Sequence, residues 1–213
     1  MKFATIIVTR SKSCHVKTLH SILKFNLMCL QNNCENEIVF VNDDPFYKAD
    51  TIAKYIKTHE RLLFIDFGIQ IDDDSLRKCF DKLESYGCLV FPGVLEGIDW
   101  GLFKAKVKDG CKEPIEQIGL HFDTEVSNKI SSEYYNVKKT SSKCWLLMSK
   151  NVIKHIKDKK GSSYKIFPRM ETMFSKFQES GIKIIAYPKA KLTMTYNHEC
   201  ISNILNAAGI KSN

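Results

Sequence analysis

The first 95 residues alternate between two kinds of stretch, and this alternation limits the fold more than any other feature of the chain. "FATIIVT" at 3–9, "EIVFVN" at 37–42 and "RLLFI" at 61–65 are rich in β-branched and aliphatic residues and show little polar alternation. The first of these is typical of a strand covered on both faces, and the other two read as the second and third strands. Between the first two, Val16, Leu19, Ile22, Leu23, Leu27 and Leu30 recur at three- and four-residue steps. That spacing predicts an amphipathic helix ending near Asn32 and Asn33, with these six residues as its apolar side. Ile52, Ala53 and Ile56 repeat the period over 49–59, Leu76, Phe80 and Leu83 mark a further helix, and 88–95 reads as another strand. The order β-α-β-α-β-α-β predicts a single α/β domain with a mixed, mostly parallel central sheet flanked by helices and joined by right-handed crossovers.

Periodicity weakens over 96–142, a long excursion of the sort that carries function. Regular structure resumes with a strand at 144–148. Pro168 then opens a helix bearing Met170, Met173, Phe174 and Phe177. Gly181 ends it, a strand follows at 182–187, and "KLTMTYNHE" brings a last short strand to His198. With 44% hydrophobic and 26% charged residues among 213, the composition excludes wholesale disorder. The apolar run at 3–8 is too short for a secretory signal or a membrane span, so the expectation is a protein acting in the cytoplasm and not secreted. An anchor or a further domain would lie outside these residues.

Eight cysteines stand at 14, 29, 34, 79, 88, 111, 144 and 200 with no CxxC pair. The expectation is reduced, mostly buried thiols, with neither a disulfide framework nor a structural zinc site. A net charge of +8 invites a nucleic-acid reading. The lysines are spread along the chain, however, and no aromatic RNA-binding strand motif is present. A nucleotide or a glycan-bearing partner explains the charge equally well, and a non-catalytic domain binding a nucleotide or nucleic acid through its basic surface is the alternative to an enzyme.

In an open α/β sheet, ligands bind where the carboxyl ends of the strands converge. Thr9 and Arg10 follow the first strand, Asp43 and Asp44 the second, and Asp66 the third. No GxGxxG or GxxxxGK[ST] motif is present, so neither a dinucleotide fold nor a P-loop is supported. Asp72, Asp73 and Asp74 have the pattern of a helix start. Asp66 has no such cap to make in "IDFG", which favours a ligand role. Asp43 and Asp44 precede Pro45 and suit either a turn or a site.

The order of these segments resembles the GT-A class of nucleotide-sugar glycosyltransferases. "ATIIVTR" stands where that class has its nucleotide-contacting first strand, "IVFVNDD" where it has the second, and "FIDFG" where an Asp-x-Asp motif holds a cation on the donor pyrophosphate. "SSKCWLLMSK", "PRMETMFSKFQESGIKIIAYP" and "TMTYNH" continue the match. More narrowly, the chain is similar to the small glycosyltransferase domains that large algal (chlorella) viruses encode for capsid glycan synthesis, which would place it in the host cytoplasm. The resemblance implies one GT-A-like domain over 1–213, with a nucleotide-binding half at 1–95 and an acceptor-side half at 96–213.

It also implies a metal-dependent transfer from a UDP-sugar, such as UDP-glucose or a UDP-deoxyhexose, to a glycan or glycoprotein acceptor. Thr9, Arg10, Asp43, Asp44, Asp66, Phe67 and Gly68 would surround the nucleotide. Asp66 and His198 would hold manganese or magnesium. Gly68 departs from the family pattern, because it replaces the second aspartate of the motif. Glu171 matches the acidic position that takes the acceptor proton in inverting members, with Asp99 and Asp123 in the excursion as rivals.

Overall fold

The structure is a computed structural model that describes residues 1–95, 99–112, 118–156 and 165–194. Strand β1 (Lys2–Thr9) pairs in parallel with β2 (Glu35–Asn42) on one side and with β3 (Arg61–Ile65) on the other. Helix α1 (Val16–Gln31) makes the crossover from β1 to β2, and α2 (Pro45–Tyr55) the crossover from β2 to β3. A short strand β4 (Ile69–Ile71) and a short helix α3 (Asp73–Lys78) follow, then β5 (Cys88–Val90) and α4 (Trp100–Lys108). The second half contains β6 (Thr124–Lys129), β7 (Tyr135–Thr140), β8 (Cys144–Met148), α5 (Ser149–Ile156), α6 (Met170–Glu179), β9 (Ile184–Ala186) and β10 (Leu192–Met194).

The main sheet has the order β2-β1-β3-β8-β5-β9-β7-β6, and β4 with β10 forms a separate antiparallel pair. Strand β8 runs against its neighbours β3 and β5, and β7 runs against β9 and β6. The remaining strands of the main sheet share one direction, so the sheet is mixed and mostly parallel, as the strand pattern predicts. On one face Phe25 and Cys29 of α1 and Leu76 of α3 pack on Phe3, Leu63, Ile65 and Leu146. On the other, Ile52 of α2, Val152 of α5 and Phe174 and Phe177 of α6 pack on Ile6, Leu62, Phe64 and Trp145. Trp145 stacks on Phe64 at 4.8 Å between ring centroids and lies in this core, not at a ligand surface.

Local chemistry sets the helix starts. Asp44 caps α2 by accepting the Tyr47 N–H at 2.7 Å, with Pro45 in the first turn. The helix therefore begins four residues earlier than the 49–59 period predicts. Asp72 caps α3, and its carboxylate also accepts the Lys191 N–H at 3.0 Å. Asp73 takes Lys24 and Asp74 takes Arg77, so the three consecutive aspartates do serve a helix start.

Helix α1 differs from expectation in its orientation. Of the six residues in the predicted apolar side, Ile22 alone is buried, and its buried companions are Thr18, Ser21, Phe25 and Cys29. Val16, Leu19, Leu23, Leu27 and Leu30 face outward. The small Thr18 and Ser21 let the helix lie close to β4, where Ser21 Oγ donates to the Ile71 carbonyl at 3.2 Å and accepts the Ile71 N–H at 3.1 Å.

Candidate functional site

The carboxyl ends of β1, β2 and β3 bring Arg10, Asp43, Lys48, Asp66 and Phe67 together. The Asp43 carboxylate accepts Arg10 Nε at 2.8 Å through one oxygen and Lys48 Nζ at 2.7 Å through the other. Burial works against its charge, but the hydrogen bonds from Lys48 and Arg10 outweigh burial and hold the carboxyl below the ordinary aspartate range. The Arg10 guanidinium also lies over the Phe67 ring at 5.0 Å, a distance for cation–π attraction. Asp43 thus fixes two cations at the mouth of the site, one on each of its carboxylate oxygens.

Asp66 sits at the end of β3, where its N–H donates to the Lys143 carbonyl at 2.9 Å. Its Oδ1 accepts the Phe67 N–H at 2.8 Å. Burial pushes the Asp66 carboxyl above the ordinary range; the Phe67 N–H and the nearby Lys48 offset this in part, and Asp43 adds to it. Gly68 has φ +74 and turns the chain from β3 into β4, with the Ile69 N–H reaching the Asp66 carbonyl at 3.4 Å. That positive φ is a conformation glycine adopts without a steric cost.

Among the described residues no group of three or more His, Cys, Asp or Glu side chains is placed to hold a metal ion. Asp66 fits such an ion as a single oxygen ligand, because a divalent cation beside it would relieve the cost of keeping a half-buried carboxylate ionised. His198 lies outside the described residues.

Two of the nucleotide-site residues expected from sequence have evident local work. Thr9 is nearly buried and gives its hydroxyl to the Val41 carbonyl at 3.0 Å, tying β1 to β2. Asp44 is the α2 cap described above. Next to it in sequence, Phe46 and Tyr47 are exposed. Sequence reasoning passed over them, although two aromatics directly after "DDP" are a usable signal for a base-stacking surface.

A second cluster of acids lies next to the first. Asp123 accepts the Gly93 N–H at 3.1 Å and Thr124 Oγ1 at 2.7 Å, and the Ser141 N–H donates to its carbonyl at 2.8 Å. Residues 141–143 therefore connect Asp123 to Asp66, one anchored at each end. Burial raises the Asp123 carboxyl, with Thr124 and Gly93 offsetting part of the effect. Gly93 leaves room for that carboxylate: a Cβ there would stand 3.1 Å from Asp123 Oδ2.

Asp123 and Glu171 line one open pocket of about 350 Å³ together with Leu95, Phe122 and Lys139. Glu171 is exposed and pairs with Lys139 at 2.8 Å, and that hydrogen bond holds its carboxyl below the ordinary range. Asp99 is placed otherwise. It caps α4 through the Leu102 N–H at 2.9 Å, meets His121 at 3.1 Å, and does not line this pocket. Of the two rivals, Asp123 shares the pocket with Glu171 and Asp99 does not; Glu125 lines the pocket as well.

No protein-family profile matches the chain, and no curated protein matches it in sequence. Solved structures do match in shape. A mutant of Drosophila β-1,4-galactosyltransferase 7, in complex with manganese, UDP-Gal and xylobiose, aligns with a TM-score of 0.50 and 11% identity over 94% of this chain and 73% of that one. GalNAc-T7 with UDP, GalNAc and Mn²⁺ aligns with a TM-score of 0.50 and 13% identity, over 93% of this chain and 44% of that one. The chain thus spans less than half of GalNAc-T7. Its architecture, a large mixed and mostly parallel sheet with flanking helices, matches these GT-A-like neighbours in shape at low sequence identity.

Proposed function

We propose that the protein transfers a sugar from a UDP-sugar, such as UDP-glucose or a UDP-deoxyhexose, to a glycan acceptor, with a divalent cation held at Asp66. The observation that carries this reading is the half-buried Asp66 carboxylate at the end of a GT-A-like third strand, beside two cations fixed by Asp43. Asp66 would hold manganese or magnesium with the donor phosphates and His198, and the bound cation would supply charge stabilisation for the departing diphosphate. Arg10, steered by Asp43 and Phe67, adds a second positive group for the phosphates. Phe46 and Tyr47 offer their rings to the base.

The acceptor hydroxyl enters the pocket of Asp123 and Glu171. A general base works best when its pKa lies towards the operating pH. Asp123 is raised and Glu171 lowered, so Asp123 takes the proton and Glu171, with Lys139, orients the acceptor. A capsid glycan of a large algal virus, built in the host cytoplasm, is the acceptor setting in keeping with the sequence resemblance.

The test is release of UDP from UDP-hexoses with manganese, with magnesium and with a chelator, with and without glycan acceptors. Metal-dependent UDP release supports the reading. No release under any condition, together with binding to nucleic acid that weakens steeply with salt, would replace it by a polymer-binding function.

A further inference from the structure

The outward face of α1 is apolar, and its direction is fixed by two contacts. Asn36 Nδ2 of β2 donates to Asn26 Oδ1 of α1 at 3.3 Å, so the side of the helix carrying Asn26 faces β2. Leu19, Leu23 and Leu30 stand three, four or seven residues from Asn26 and share that side, with Val16 and Leu27 next to them. On the α3 side, Lys24 reaches Asp73 at 2.8 Å, and Lys17 lies one heptad earlier on the same stripe. The aliphatic stripe therefore overhangs β2, and the lysines of the helix are turned away from it.

Strand β2 is the last strand of the sheet, and among the described residues nothing pairs with its outer edge. Alternation along the strand puts Ile38 and Phe40 on the same face as Asn36, towards α1. Glu37 points to the other face, where Tyr55 Oη donates to it at 2.8 Å. Exposure is 77% at Val16, 40% at Leu19, 59% at Leu23, 56% at Leu27, 65% at Leu30 and 51% at Phe40.

We propose that this face is a homodimer interface, in which the β2 edges of two copies pair antiparallel across a two-fold axis normal to the sheet and each α1 stripe packs on its mate. An open edge strand of eight residues offers a row of unpaired backbone groups that a second copy satisfies in kind. Taking about 150–200 Å² for a large side chain, the six residues expose roughly 600 Å² per copy. The edge strand adds to this, approaching the ~800 Å² per partner of a standard interface. The chain carries +8 overall, yet these six residues are uncharged and the charged residues of β2 beside them, Glu35 and Glu37, are acidic. An anionic bilayer or a nucleic acid would find no basic side chain on it to hold, so a second copy is the better match.

Sedimentation equilibrium of the full chain over a wide concentration range tests the proposal, alongside Leu23→Glu, Phe40→Lys and the control Val107→Glu on the exposed side of α4. The expected result is a monomer–dimer equilibrium that Leu23→Glu and Phe40→Lys each weaken on the order of 100-fold or more and Val107→Glu leaves alone. Hydrogen exchange of the wild type gives a second readout that needs no variant: the β2 amides exchange more slowly as concentration rises. A monomer at every concentration overturns the proposal, as does a dimer indifferent to both substitutions or β2 exchange independent of concentration. A monomer that instead binds vesicles of anionic lipid through these residues overturns it in favour of a membrane surface.

Discussion

Asp66 carries a burial cost that its neighbours offset only in part. Its carboxyl is raised by burial, so ionising it penalises the folded state; the penalty is absent below the unfolded aspartate range and grows as pH rises through the folded value. Asp66→Asn keeps an oxygen for the Phe67 N–H and removes the charge. At neutral pH we expect the metal-free variant to be more stable by about 1 kcal/mol, melting ~2–4 °C higher for a chain of this size; an unchanged or lower melting temperature contradicts this assignment. Asp43 has the opposite sign. Its carboxyl is lowered despite burial, through Lys48 and Arg10, so its stabilisation is present above the unfolded aspartate range and is lost as pH falls through the folded value. Lys48→Met, which strips one partner from a partly buried carboxylate, should cost about 1–3 kcal/mol in urea unfolding at neutral pH and less in acid. If the pocket of Asp123 and Glu171 takes the acceptor as proposed, Asp123→Asn should lower kcat by about 10²–10⁴, whereas Glu171→Gln should act mainly through KM. The reverse pattern in steady-state kinetics would return the base role to Glu171.

At the scale of elements, α1 shows most sharply where sequence periodicity succeeds and fails. Its existence and ends are evident from the spacing of apolar residues, but two apolar stripes are interleaved in it and the broader one faces out. The choice was made by fit against β4, where Thr18 and Ser21 permit a close approach that leucines would block. Ile22→Ala should therefore cost about 2–5 kcal/mol, and Leu23→Ala no more than about 0.5 kcal/mol, measured by denaturant unfolding at low protein concentration. Comparable losses at both positions would contradict the orientation of the helix. Strands β1, β2, β3 and β8 were legible because each is an apolar run buried on both faces or closed by a polar residue at its carboxyl end. Strands β6 and β7 were not, because they form a charged hairpin at the sheet's other edge with few inward side chains. Strand β4 was hidden in "IQI", too short for a period to show and defined by the turn at Gly68. The site was legible where a strand ends in a charged residue, as at Arg10, Asp43 and Asp66. Asp123 reaches the same region through hydrogen bonds between distant segments, and spacing along a chain does not report these.

For the whole molecule, a mixed sheet gathers the ends of β1, β2 and β3 into a cation-lined mouth and sets the Asp123 and Glu171 pocket beside it through residues 141–143. Under the proposed function, nucleotide and cation would both depend on one carboxylate, Asp66. Isothermal titration of UDP into the wild type and into Asp66→Asn, each with manganese and with a chelator, tests that dependence directly. The account predicts that UDP binds the wild type with manganese, and that both chelation and Asp66→Asn remove the binding while Asp66→Asn leaves the fold intact. Binding that survives in Asp66→Asn, or that is indifferent to the chelator, would contradict it.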